Sequence, residues 1–159
     1  MRQVSAEMLQ AMLAQQTSEV LLSFLKVEHA SLPSPQLLVC NTQPIVRADG
    51  TYQPFAFDAP SPADKEERIP QTQITIDNVD MTLGNILRTL TGDAPTVTLF
   101  TALASSPDTI EEGPYIFELQ SATGDQNSIT GTLGYDSRLF DQQIPAQSYT
   151  PVNSPGLFT

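Results

Sequence analysis

The sequence predicts a mostly-β domain of the α+β kind, with an N-terminal helix, one inserted helix and an extended C-terminal tail. Three observations predict it. Apolar, β-branched runs recur along most of the chain, only two stretches carry helical spacing, and 13 prolines punctuate the rest. At 159 residues the length suits one domain, expected over 1–141 with a tail over 142–159. A chain of this size can bury about 70% of the surface its unfolded form exposes. Hydrophobic residues at 40% exclude a wholly disordered chain.

Ser5 to Gln16 reads as a helix, because Met8, Leu9, Met12 and Leu13 recur on one face. Thr17 and Ser18 break that pattern. Val20 to Glu28 reads as a strand whose two faces, Val20/Leu22/Phe24 and Leu21/Leu25/Val27, are both apolar, so it is expected in a central position. Leu32-Pro33-Ser34-Pro35 is a turn, since each proline fixes its own backbone and extends its predecessor. Gln36 to Asn41 is a further short strand. Asp49-Gly50 is a tight-turn signal joining Ile45–Ala48 to Tyr52–Phe57 as a hairpin. Ala59 to Pro70, with its mixed charges and bracketing prolines, is an exposed loop.

Thr72 to Asp77 alternates, with Ile74 and Ile76 inward and Gln73, Thr75 and Asp77 outward. Asp80 then fits a helix N-cap, and Leu83, Ile86, Leu87 and Leu90 follow at helical spacing until Gly92 offers a left-handed stop. Thr96 to Ala104 is a strand with Val97, Leu99 and Leu103 on one face and Phe100 with alanines on the other. Ser105 to Asp108 turns the chain. Pro114–Gln120 and Ser128–Tyr135 pair across the Thr123–Asn127 turn. About seven strands result. Beyond Tyr135 periodicity fades, and Tyr149, Leu157 and Phe158 remain as isolated apolar anchors among prolines. Such a segment can lie along a groove on its own domain or on a neighbour, and both readings stay open.

Seven Lys plus Arg against 18 Asp plus Glu leave a formal net charge of −11, which argues against a phosphate-gripping module. One cysteine, Cys40, cannot form an internal disulfide. Gln3, Ser5, Glu7 and Gln10 interrupt any signal-peptide core, and Val20–Val27 is too short to span a bilayer. Synthesis in a cytosol, with neither export signal nor membrane anchor, is expected.

Chemistry finds little support. His29, the only histidine, sits at a strand end, where a surface or turn role is the simpler reading. Cys40 has no neighbouring cation to stabilise a thiolate and reads as a small buried strand residue. Asp77-Asn78-Val79-Asp80 lacks the spaced ligands and closing Glu of a calcium loop, so a strand end and helix cap are favoured. Glu111-Glu112 supplies adjacent carboxylates without an opposing partner. No glycine-rich phosphate loop occurs, and Trp is absent. No catalytic, cofactor-binding or metal-ligating residue is expected, and an enzyme is the weaker class.

Several segments together resemble a family of small tailed-bacteriophage tail proteins, usually described as a domain of unknown function. They are the N-terminal helix leading into Glu19-Val20-Leu21-Leu22-Ser23-Phe24-Leu25-Lys26-Val27-Glu28-His29, the Ile76-Asp77-Asn78-Val79-Asp80 approach to a helix, Ala104-Ser105-Ser106-Pro107-Asp108, and Tyr149-Thr150-Pro151 with Ser154-Pro155-Gly156-Leu157-Phe158. They occur in the family's order across nearly the whole chain. Ala30-Ser31 departs from the pattern, which commonly has a proline–acid pair there.

The resemblance implies a β-sandwich or split barrel similar to tail-tube and hub domains, in a structural subunit of the virion tail tip or baseplate. That subunit would form a threefold or sixfold homo-oligomeric ring, joining the tail tube to hub or distal tail proteins. DNA would pass without specific binding, and no cofactor is implied. A conduit for DNA should repel phosphates, so Asp77, Glu111 and Glu112 are expected to line a lumen or face a partner ring. Acidity as ordinary solubility remains the competing account. Tyr149, Leu157 and Phe158 are the expected inter-subunit anchors. The alternative class is a host-surface or carbohydrate-binding module at the tail tip.

Overall fold

The computed structural model describes residues 5–60, 71–77, 82–125, 127–135 and 156. Along these run α1 (Ala6–Leu13), β1 (Leu21–Glu28), β2 (Gln36–Val39), β3 (Ile45–Arg47), β4 (Gly50–Pro54), β5 (Phe57–Asp58), β6 (Gln71–Asp77), α2 (Thr82–Thr89), β7 (Thr96–Leu103), β8 (Ile110–Gly124) and β9 (Ser128–Gly134). The nine strands form one mixed sheet in the order β3-β4-β2-β1-β7-β8-β9-β6-β5. Every pairing is antiparallel except β2 with β4, where Leu38 stands opposite Gln53. The protein is therefore mostly β, with an N-terminal helix and a short inserted one.

β1 is central, as its two apolar faces predict. Leu25 and Val27 enter one core cluster, and Leu22 and Phe24 enter another on the opposite face. The first cluster joins Leu25 and Val27 of β1 to Ile74 and Ile76 of β6, although β7, β8 and β9 separate those strands in the sheet. The sheet must curl until distant parts of one face meet, which encloses a core as a split barrel does. Leu87 of α2 packs against that core. Fully burying each such Leu, Ile or Phe contributes about 1.5–3 kcal/mol.

Several predicted boundaries move. The first helix ends at Leu13, not Gln16. The hairpin turns on Ala48-Asp49, with Gly50 already paired to Arg47. Gly50 has φ +145°, and a Cβ there would stand 2.6 Å from Leu37 Cδ1, so the glycine belongs to the strand start. Tyr52 and Phe57, expected on one strand, lie on β4 and β5, which border different parts of the sheet. β8 begins at Ile110 and runs through Gly113-Pro114, which the sequence marks as a break. Gly92 takes φ +104° after α2, as a left-handed stop requires. The Asp80 cap, most of the Ala59–Pro70 loop, and the tail over 142–159 apart from Gly156 lie outside the described residues.

Candidate functional site

α1 begins on a cap built from two distant parts of the chain. Ser5 is extended (ψ 157°), and its Oγ accepts the Met8 N–H at 3.0 Å. A capping box would place Glu or Gln at Met8 to accept the Ser5 N–H. Here Glu111 of β8 replaces it: Oε2 accepts the Ser5 N–H at 2.9 Å, and Oε1 accepts the Ser5 Oγ–H at 2.6 Å. A carboxylate so placed also faces the positive end of the helix. Further along, Ser105 Oγ–H donates to Glu19 at 2.7 Å and the Ala104 N–H to the Val20 carbonyl at 2.9 Å. Both ends of the arm are thus tied to one end of the sheet.

Between those ties α1 buries none of its residues. Leu9, Met12 and Leu13 are 54%, 68% and 77% exposed. Of the apolar stripe read from the sequence, Met8 is half-buried, while Leu9, Met12 and Leu13 stay open among the described residues.

Glu111 corrects an expectation. The sequence places it outward, whereas in the fold it is only 6% exposed. The reason lies in the β7–β8 register, which steps from Thr101↔Glu112 to Ala102↔Ile110 and leaves Glu111 without an opposite residue. Such a bulge re-aims a side chain, here toward Ser5. Glu112 is half-buried and accepts the Tyr115 hydroxyl at 3.1 Å. Asp77 is exposed, as predicted, in register with Ser128 at the far end of β6. Ser128 adjoins the Gly124 end of β8, so Asp77 and the Glu111-Glu112 pair stand at opposite ends of the sheet. The three acids form no common surface. The tail anchors Tyr149, Leu157 and Phe158 lie outside the described residues.

A second constellation centres on Arg47, a residue to which the sequence assigns no role. The Arg47 side chain is 8% exposed, and its guanidinium lies 4.4 Å from the Phe100 ring centroid, 5.3 Å from Phe24 and 5.7 Å from Tyr52. It donates to Asp49 Oδ1 at 3.2 Å and to the Pro107 carbonyl, while the Tyr52 hydroxyl donates to Asp49 Oδ2 at 2.8 Å. Burial raises the Asp49 carboxyl, but the hydrogen bonds from Tyr52 and Arg47 and the Arg47 charge outweigh it and hold it below its ordinary value. Burial first, then the Asp49 carboxylate, pushes the Tyr52 phenol far up. The Arg47 cage pins the β3–β4 hairpin to the β7–β8 connection. Asp49 and Tyr52 share its hairpin, but Phe24, Phe100 and the Pro107 carbonyl reach it only through the fold, so no local pattern announces the burial of Arg47.

His29 stitches the end of β1 to the approach of β7: Nε2–H donates to the Asp93 carbonyl at 2.9 Å, and Nδ1 accepts the Ser31 N–H at 3.0 Å. Cys40, expected to be buried in a strand, is exposed one residue beyond the end of β2. Among the described residues no group of three or more His, Cys, Asp or Glu is placed to hold a metal ion. At the Gly124 end of β8 a groove of about 310 Å³ opens between α2 and the β8–β9 turn, lined by Leu87, Arg88, Ala122, Gly124 and Ile129 among others.

No curated protein matches the chain. A family model described as "Domain of unknown function (DUF1833)" matches residues 7–149, from inside α1 through every strand of the sheet. With most of its length so covered, the chain belongs to the DUF1833 family.

Proposed function

We propose that the protein is a non-enzymatic structural subunit of a bacteriophage tail tip or baseplate. In this reading it forms a homo-oligomeric ring that joins the tail tube to hub or distal tail proteins around the DNA channel. The placement in a tail comes from the ordered resemblance of its segments to small tail proteins. The observation that carries a role in assembly is α1. A helix with an apolar stripe and no buried residue gains little from its own domain, because helices of this length derive their stability from tertiary packing. Yet the chain holds its N-terminus through Ser5–Glu111 and ties the segment that follows it through Glu19–Ser105. A curled, β-rich body carrying a presented arm suits a subunit that acts through its neighbours.

Quantitative mass spectrometry of purified phage particles tests this reading, with the chain counted against the major tail-tube protein. A low, fixed ratio matching one threefold or sixfold ring is expected. A ratio near one would make the protein the tube itself, and absence from particles would remove the structural assignment.

A further inference from the structure

We infer that α1 of one copy docks in the groove between α2 and the β8–β9 turn of a second copy, giving a head-to-tail contact. Three observations carry it. The first is the open side of α1, Leu9, Met12 and Leu13, on a helix that buries no residue fully and half-buries only Met8 and Ala11.

The second is position. Ser5 is fixed at Glu111 and the following segment at Ala104 and Ser105, all at one end of β8, whereas Ala122 and Gly124 of the groove are at the other. Roughly 30 Å of strand separates these ends even with its bulges. An eight-residue helix spans only about 12 Å. The arm cannot reach its own groove.

The third is charge. From Gln3 to Leu25 the chain has Glu7 and Glu19 but no Lys or Arg. The last turn of α1 carries no basic residue, so its terminal carbonyls, beside Met12 and Leu13, present uncompensated negative charge. Exposed Arg88 on the groove rim is suited to meet them, with Leu87, Ala122 and Ile129 supplying apolar surface for the stripe. Of the other described cations, Lys26 pairs with Glu28 and Arg47 is buried. An arm on one end and a receptor on the other make a heterologous contact, which closes into a ring when its rotation allows.

This specifies the subunit contact of the ring proposed above, but its test needs only the purified full-length chain. Sedimentation equilibrium over a concentration series is expected to give oligomers in multiples of the 17.3 kDa chain. Leu13→Asp on the arm and Ala122→Arg in the groove should each weaken association at least tenfold, roughly the cost of one misplaced buried charge. Circular dichroism checks that both stay folded, which the exposure of both positions favours.

Mixing the two variants is the decisive step. The Leu13→Asp chain keeps its groove and the Ala122→Arg chain keeps its arm, so they should form a 1:1 dimer and nothing larger. A wild-type chain that stays monomeric at its highest soluble concentration overturns the inference, as does a mixture that yields no dimer. Isologous pairing of one α1 with another would also fail to complement. A monomer found at ring stoichiometry in virions would leave the tail reading intact. An arm-dependent oligomer in a protein absent from virions would remove that reading alone.

Discussion

Glu111 and Arg47 each join parts of the chain that sequence distance keeps apart, and each makes a prediction. Hydrogen bonds to a charged group contribute about 1.5–3 kcal/mol, and Glu111 makes two of them to Ser5. Because α1 buries nothing, their loss should fall on the arm and spare the sheet. Glu111→Ala is expected to abolish hydrogen-exchange protection over Ala6–Leu13 with little change in β1 and β7; unchanged protection would mean the tie is idle. Arg47→Met should cost about 2–4 kcal/mol, since it strips a buried cation from three rings and orphans the Pro107 carbonyl. Arg47→Lys should recover less than half, because a compact ammonium lacks the planar face that stacks on the rings and the fixed donor geometry that serves both acceptors. Chemical denaturation reads both. Asp49 adds a pH dependence whose sign follows from its lowered pKa. Its contribution is present above the unfolded carboxylate value of about 3.9 and is lost as pH falls through the folded value. The side chain is well exposed, so the effect should stay below about 1 kcal/mol. Asp49→Asn should therefore flatten the fall in melting temperature below about pH 4, compared with wild type in melts from neutral to acid.

At the scale of the element, β8 decides how the termini of the fold are used. Gly113 sits at φ +96°, and a Cβ there would stand 2.9 Å from the Leu99 carbonyl oxygen. Gly113→Ala should cost about 1–3 kcal/mol through backbone strain and that contact, and should loosen the adjoining bulge that aims Glu111. Equilibrium unfolding combined with exchange over α1 would detect both effects; a stable variant with a protected arm would separate the bulge from the latch. The same strand marks where sequence reading stops. β6 is legible because burial alternates along it as its apolar residues do, and β1 and β7 because apolar residues on both of their faces are buried. β8 was read only from Pro114, because Gly113-Pro114 is a strong breaker in local terms, whereas two register shifts carry the ladder past it. Glu111 was misjudged for that reason: an acid in a polar run reads as exposed until a bulge turns it inward. The Ser5 cap was hidden too, since the carboxylate that completes it lies 106 residues away. The apolar stripe on α1 was legible in full; its lack of cover was not, because periodicity reports a face and not what meets it.

For the whole molecule, the net charge of −11 has to be placed somewhere, and the fold narrows the choice. Glu111 is committed to Ser5 and Glu112 is half-buried against Tyr115, so neither offers a free carboxylate to a channel. Asp77 stands exposed at the opposite end of the curled sheet. If a ring of these subunits surrounds passing DNA, Asp77 is the one of these three acids exposed enough to face its wall, so its reversal is the test. Reversing it in every subunit removes one negative charge and adds one positive charge per copy, which would convert repulsion of phosphates into attraction. Asp77→Lys is therefore expected to slow DNA ejection from assembled particles, and Asp77→Asn to slow it less. Glu112→Lys should act on folding or assembly instead, because it disrupts a packed hydrogen bond. Exposed charges are screened over about 8–10 Å at moderate salt, so raising ionic strength should restore ejection in the Asp77→Lys phage. A steric or folding defect would persist in salt. Particles that assemble normally and eject at the wild-type rate with Asp77→Lys would leave the acidic surface with solubility as its role, and would place any channel at another face of the sheet.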